Sequence, residues 1–174
     1  MIVVSDRPRI GVSACLLGER VRYDGRDKRD AWLVEILGPQ VEWVAVCPEV
    51  EAGLGTPREP MNLGRDRNGR LALITDRVRD DLTKTMADYS ERRVSELARG
   101  DLDGYVLKAG SPSCGLDIPV HGSADRGRGV FAAALTSGMP DMPIIEERQL
   151  ADEASRQLFV DRVRAHFRRR RPPT

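Results

Sequence analysis

The pattern of apolar and polar positions along the chain predicts short buried strands that alternate with helices. Apolar runs typical of buried strands occupy residues 10–15, 41–47, 104–107 and 142–146. Periodic or largely apolar segments typical of helices occupy residues 31–37, 78–98, 129–137 and 147–167. Because strands and helices alternate, we expect parallel β-α-β units, in a single three-layer α/β domain with a mainly parallel, Rossmann-like sheet.

Two further patterns predict local features outside this sheet. Apolar runs on both sides of Asn68-Gly69 indicate a β-hairpin, because Asn-Gly favours the tight turns that join antiparallel strands. Residues 48–60 are dense in Gly and Pro, so we expect a loop there. No repeat or low-complexity linker divides the chain, and we therefore expect one domain over 9–167 followed by a basic tail at 168–174.

The three cysteines of the chain each follow a predicted strand. Cys15 and Cys47 end the first two runs, and Cys114 follows the third run through a turn of Gly, Ser and Pro. Because the carboxyl ends of parallel strands meet at one edge of a sheet, we expect the cysteines to converge there. An odd number of widely spaced cysteines argues against a disulfide framework and favours thiols or metal ligation.

The spacing of the cysteines leaves several interpretations open. No close cysteine pair marks a structural zinc site, whose fourth ligand would have to be His121, Asp24 or Glu49. Three thiolates without a clear fourth ligand suit an iron-sulfur cluster with one position left for substrate. Three buried and inert cysteines are the simplest alternative. A nucleophilic Cys-His-Asp triad has few candidate bases, since His121 and His166 are the two histidines of the chain.

Composition and charge narrow the class of protein. With 174 residues, 40% of them hydrophobic and 32% charged, the chain is long enough for one globular domain with a core. No apolar run reaches the roughly 20 residues that cross a bilayer, and the N-terminus does not resemble a signal peptide, so we expect a cytoplasmic protein without a membrane partner. The net charge is only +1, but basic residues concentrate at 20–29 and 162–171. Such blocks can contact phosphates, although a solvated helix end and tail is the favoured interpretation of the second block taken alone.

Five motifs occur in order around the three cysteines: VSACLLG at 12–18, VRYDG at 21–25, CPEV at 47–50, GTPREP at 55–60 and LKAGSPSCG at 107–115. Together they resemble the thiouracil desulfurase family (DUF523 domain), and the resemblance runs from about residue 9 to 164. The segment at 51–60 is closest to a subgroup linked to 4-thiouridine in tRNA, in which a helical DUF1722 domain follows. This chain ends at Thr174, where that second domain would begin.

The resemblance implies a [4Fe-4S] cluster held by Cys15, Cys47 and Cys114, with substrate sulfur bound at the remaining iron. Glu49 matches the acid/base glutamate of the family. The catalytic serine of the family matches a hydroxyl of the Ser-Pro-Ser-Cys motif, where we expect Ser111, with Ser113 as the alternative. Three further residues are expected to contact the substrate: Asp24, Arg58 and Lys108.

The activity implied by the resemblance is removal of sulfur from thiolated uracil, giving uracil and sulfide without net redox change. The substrate could be the free base, a nucleoside or nucleotide, or 4-thiouridine in tRNA. An alternative from another class is a non-enzymatic iron-sulfur or zinc module that senses redox state or binds RNA. The oligomeric state is left open by the sequence.

Overall fold

A computed structural model of the protein describes residues 6–171. The strands in this range are β1 (Arg9–Ser13), β2 (Glu42–Val46), β3 (Met61–Arg65), β4 (Leu71–Thr75), β5 (Gly104–Leu107), β6 (Ile118–Pro119), β7 (Arg126–Gly127) and β8 (Ile144–Glu146). The α-helices are α1 (Pro48–Glu51), α2 (Thr83–Arg99), α3 (Val130–Gly138) and α4 (Glu153–Arg170). Shorter helical segments of 3-10 or π type are Ala14–Leu17, Trp32–Leu37, Gly38–Gln40 and Glu147–Leu150.

Within residues 6–171, four strands form a parallel sheet in the order β2-β1-β5-β8. β3 and β4 form the antiparallel hairpin expected around Asn68-Gly69, with Met61 opposite Thr75 and Arg65 opposite Leu71. A small antiparallel ribbon of β6 and β7 was not predicted. The mainly parallel α/β sheet expected from the sequence is therefore confirmed.

Helices cover both faces of the parallel sheet. Alternate residues of a strand point to opposite faces, so neighbouring residues of β5 pack in different cores. Tyr105 and Leu107 of β5 pack in a core with side chains of α2 and α3, including Phe131. Val106, which lies between them, packs in a second core with Leu33 of the segment Trp32–Leu37 and with side chains of α4. The two cores give the three-layer arrangement of helix, sheet and helix that the sequence predicted.

The boundaries of two helices differ from the prediction. Residues 78–98 were expected to be helical, but α2 begins at Thr83, and Val78 is 67% exposed. The chain before α2 folds back on β4 instead, and Arg79 adopts a positive φ of 65° that a helix excludes. The predicted helix at 147–167 is divided at Asp152, whose side chain caps α4 by accepting the N–H of Ser155 at 2.8 Å.

The loop expected at 48–60 begins with the single helical turn α1, so that part of the prediction was wrong. Pro48 is suited to the first helical position, where a backbone N–H would have no partner in the helix. At the other end of the chain, α4 continues through Arg170, into the segment predicted as a basic tail. Residues 172–174 of that segment lie outside the described residues, and the domain boundary stays a prediction.

No helix in the described part of the chain is both long enough and apolar enough to span a membrane.

Candidate active site

A cavity of about 400 Å³ lies at the carboxyl ends of the parallel strands, and all three cysteines line it. Cys15 lies in the short helix directly after β1, and Cys47 lies between β2 and α1. Cys114 lies in the turn that follows β5. Cys15 and Cys47 are 32 positions apart in the sequence, and Cys47 and Cys114 are 67 positions apart. The sheet order β2-β1-β5 brings all three to one cavity.

The three thiols are free, and most of their surface is buried. Cys15 and Cys114 are buried and Cys47 is half-buried. Burial raises the pKa of Cys15 to about 11 against the opposing effect of the nearby Lys108 ammonium, and burial also raises the pKa of Cys47 and Cys114 above the usual thiol value. Without a metal these thiols are protonated at neutral pH, so metal binding at this cavity must release protons.

The donor set fits a thiolate-bound metal cluster. Three soft sulfur donors from three separate segments line one cavity, and that combination favours iron-sulfur chemistry over a site for a hard cation. Among residues 6–171, no three His, Cys, Asp or Glu side chains form a group that could hold a single metal ion. The cysteines supply fewer than the four protein ligands of a closed site, which leaves a coordination position for another ligand.

Glu49 is a buried carboxylate with strong partners. It lies on α1, lines the cavity and is 8% exposed. Its Oε1 accepts the hydroxyl proton of Ser113 at 2.8 Å. Its Oε2 accepts the Nε–H of Arg58 at 2.7 Å and also pairs with Nη2 of the same guanidinium. The buried charge is therefore both paired and hydrogen-bonded, as a carboxylate in this environment requires.

Arg58 is held by protein groups on all three guanidinium nitrogens. Nε and Nη2 contact Glu49, and Nη1 donates to the carbonyl oxygens of Val21 at 2.9 Å and Gly55 at 2.8 Å. The backbone N–H of Arg58 also donates to the carbonyl of Tyr23. These contacts join the GTPREP loop to the VRYDG loop. Arg58 lines the cavity, but its predicted contact with substrate stays a prediction.

The two serines of the Ser-Pro-Ser-Cys turn have different surroundings. Ser111 lines the cavity, and its Oγ accepts the backbone N–H of Ser113 at 3.3 Å and of Cys114 at 3.1 Å. Its hydroxyl proton can therefore be donated into the cavity. Ser113 is completely buried, and it is not among the residues that line the cavity.

Lys108 is brought to the site, whereas Asp24 is not. Lys108 lines the cavity, and its ammonium pairs with Glu147 and donates to the carbonyl of Ala109 at 2.8 Å. Asp24 is absent from the cavity lining; its Oδ2 lies 3.8 Å from Nη1 of Arg22. The predicted substrate contacts of both residues stay predictions.

The two histidines that could have served a nucleophilic triad lie elsewhere. Neither His121 nor His166 is among the residues that line the cavity. His166 lies on α4, where its Nδ1 is 3.6 Å from the buried Asp103. The described cavity therefore provides no imidazole base for the cysteines.

Several residues at the site were not selected from the sequence. Glu147, the partner of Lys108, directly follows β8, and the rule that selected the strand-end cysteines could have selected it too. Tyr23 is 42% exposed at the cavity with the Arg22 guanidinium 5.6 Å from its ring centre. Asn62 and Asp76 line the cavity from the β3-β4 hairpin and are hydrogen-bonded to each other. No sequence signal marked these last two residues.

Comparison with known proteins gives three matches. The sequence pattern of the 2-thiouracil desulfurase family matches residues 10–147. An uncharacterized protein of Bacillus subtilis (strain 168), YbbK, is 28% identical over 149 residues, which cover 81% of this chain and 97% of that protein. The solved structure of the [4Fe-4S]-dependent thiouracil desulfidase TudS is 32% identical with a TM-score of 0.68, and the match covers 87% of this chain and 99% of that chain. The residues matched by the family pattern include the three cysteines and Glu49.

Proposed function

Because the chain belongs to the 2-thiouracil desulfurase family, we propose that its cysteine-lined cavity removes sulfur from thiolated uracil in an iron-sulfur-dependent reaction. The convergence of three free thiols and a buried carboxylate on one cavity is the observation that carries this proposal. The resemblance read from the five sequence motifs is confirmed by the family match. The [4Fe-4S] dependence of TudS supports the same cofactor here.

In this proposal Cys15, Cys47 and Cys114 would hold a [4Fe-4S] cluster. When bound, the cluster would supply a Lewis acid for the thiocarbonyl sulfur and so make the attached carbon more electrophilic. We also propose a cytoplasmic location, because that compartment keeps cysteines reduced and available as cluster ligands.

The protein residues then have to deliver water and manage protons. A water oxygen bonds to the thiocarbonyl carbon, the C–S bond breaks, and sulfur leaves as hydrogen sulfide, so that water supplies both protons and no electrons are transferred. Glu49 is the proposed acid and base, since its carboxylate faces the cavity. Ser111 is the proposed catalytic serine, because its hydroxyl lines the cavity with its proton available to orient the ring.

Loading and activity of purified protein test the proposal directly. After anaerobic reconstitution we expect about four irons and four sulfides per chain, and release of sulfide from 2-thiouracil. Glu49→Gln should keep the cluster and lose turnover, whereas Glu91→Gln, the same change at an exposed position of α2, should keep both. A bound zinc ion or a cluster without sulfide release would favour the non-enzymatic sensor or RNA-binding module instead.

The finer proposal is that 4-thiouridine in tRNA is also a substrate, once its base has left the helical stack. Exposed arginines near the end of α4 support RNA contact: Arg162, Arg164, Arg168 and Arg169. Arg170 is occupied internally, by Asp101 at 2.7 Å and by the carbonyl of Leu102 at 2.6 Å. Turnover of thiolated tRNA should fall steeply between about 50 and 200 mM salt, while turnover of free 2-thiouracil should not. A tRNA reaction that is indifferent to salt would refute a role for these arginines.

A further inference from the structure

The Glu49 carboxylate is held from two sides by residues of two different loops. Ser113 belongs to the turn after β5, and Arg58 belongs to the loop between α1 and β3. A carboxylate offers about four acceptor positions. Arg58 takes two of them at Oε2 and Ser113 takes one at Oε1. The position that stays available is therefore on Oε1.

We propose, on the basis of the function above, that Ser113 and Arg58 are positioning residues that make Oε1 of Glu49 the atom that exchanges the proton during desulfuration. Oε2 faces a charged guanidinium that cannot give up its protons, so this oxygen is occupied throughout the reaction. Oε1 accepts from a neutral hydroxyl and keeps one position for a proton of water or substrate.

The surroundings of Ser113 indicate that it acts through Glu49. Its side chain is completely buried, is absent from the cavity lining, and donates to Glu49 at 2.8 Å. Its carbonyl accepts the N–H groups of Phe131 at 3.0 Å and Ala132 at 3.1 Å, so the start of α3 holds the residue in place. Ser113 thus has a fixed backbone and one functional contact. This assigns to Ser113 a different role from Ser111, whose hydroxyl lines the cavity.

The Arg58 guanidinium is also held by backbone groups, in addition to its contact with Glu49. Nη1 donates to two backbone carbonyls, of Val21 and Gly55, which fix the plane of the guanidinium. The guanidinium plane in turn constrains the position of Oε2 of Glu49, since Nε and Nη2 both contact that oxygen, and Ser113 holds Oε1 from the other side. Arg58 therefore serves to orient an acid/base group in this proposal, and its predicted contact with substrate stays a separate prediction.

A double-mutant cycle tests this proposal in the reconstituted enzyme. Ser113→Ala should lower kcat by about 10- to 100-fold and change KM by less than about twofold, because a misplaced carboxylate slows chemistry more than binding. Glu49→Asp provides the second background, since its shorter side chain keeps a carboxylate but loses the contacts with Ser113 and Arg58. In that background Ser113→Ala should change kcat by less than about twofold, because the hydrogen bond between Ser113 and the carboxylate is already absent.

Matched variants keep the test decisive if Ser113→Ala impairs folding. Arg58→Lys keeps the positive charge but lacks the planar guanidinium. We expect the same loss of kcat and the same small change of KM as for Ser113→Ala. In the Glu49→Asp background, Arg58→Lys should leave kcat nearly unchanged. Ser95→Ala removes a hydroxyl from an exposed position of α2, where Ser95 donates to the carbonyl of Glu91, and should leave kcat unchanged. Iron content and Tm are measured for every variant.

The outcomes separate this proposal from the proposed function. A wild-type enzyme that loads a cluster and releases no sulfide would overturn the proposed function. A wild-type enzyme that releases sulfide, with Ser113→Ala and Arg58→Lys of normal kcat, would overturn the positioning role alone. The positioning role would also be overturned if the kcat loss of Ser113→Ala or Arg58→Lys were equally large in the wild-type and Glu49→Asp backgrounds. Ser113 or Arg58 would then act independently of Glu49.

Discussion

Replacing Gly129 with alanine tests whether close backbone packing fixes the turn that carries Ser113 and Cys114. Gly129 has φ −59° and ψ 150°, which alanine adopts easily, so any cost is steric. An added Cβ would lie 2.5 Å from the carbonyl carbon and oxygen of Ser113 and 2.9 Å from the carbonyl oxygen of Pro112. Ordinary contacts begin at 3.4 Å, so the Ser113 peptide would have to move by about 0.9 Å.

The size of the effect follows from what that movement disturbs. Forcing an extra methyl into packed structure costs about 1–3 kcal/mol. The Ser113 carbonyl also accepts the N–H groups of Phe131 and Ala132, and weakening both hydrogen bonds adds about 1–2 kcal/mol. Alanine also lowers the conformational entropy of the unfolded chain, which stabilises the folded protein by about 0.4–1 kcal/mol. We expect a net loss of about 3 kcal/mol, which lowers Tm by roughly 6–12 °C.

Thermal unfolding by circular dichroism and iron content after reconstitution provide the assay. Gly64→Ala is the matched control, because an added Cβ there would meet only the Cδ1 of Ile74, at an ordinary 3.7 Å. Its Tm should stay within about 2 °C of wild type. Gly129→Ala should also bind less iron, since Cys114 follows the displaced peptide. Equal Tm and equal iron content for the two variants would refute the packing argument.

Three further predictions concern the core, the pH dependence and the cysteines. Phe131 is fully buried between Tyr89 and Tyr105, with ring centres 6.5 and 5.9 Å away, so Phe131→Ala should lower the unfolding free energy in urea by about 3–5 kcal/mol; an unchanged urea midpoint would contradict this. Burial lowers the pKa of His166 below 6.5, although Asp103 opposes the shift. The unfolded chain therefore binds the proton first, and stability should fall as pH drops below about 6.5 and through the folded pKa. His166→Gln should flatten this dependence in urea midpoints compared between about pH 7.5 and 5.5, and an equally steep variant would assign the effect to other groups. Serine at any of the three cysteine positions should sharply reduce iron bound after reconstitution, and a variant that binds iron like wild type would remove that cysteine from the proposed ligand set.

Local patterns predicted those elements whose formation depends on neighbouring residues. The β3-β4 hairpin was predictable because Asn68-Gly69 determines the turn and the flanking apolar runs determine the pairing. The start of α2 was not, because the apolar Val78 continues the helical period while contacts with β4 hold residues 76–82 in a turn. Periodicity describes an isolated segment, and a competing tertiary hydrogen bond overrides it.

From the sequence alone, three thiols, Glu49 and two serines could be placed after strands of an α/β sheet, and hence at one edge of it. How these side chains pair depends on the packing of the folded chain. Ser113 and Glu49 are 64 positions apart and their contact depends on how the turn after β5 packs against α1. Asp24 belongs to the same motif set as Arg58, yet it lies outside the cavity lining. The reason is physical: the carboxyl ends of strands converge in any parallel sheet, whereas a hydrogen bond requires specific side-chain positions that only the packed loops provide.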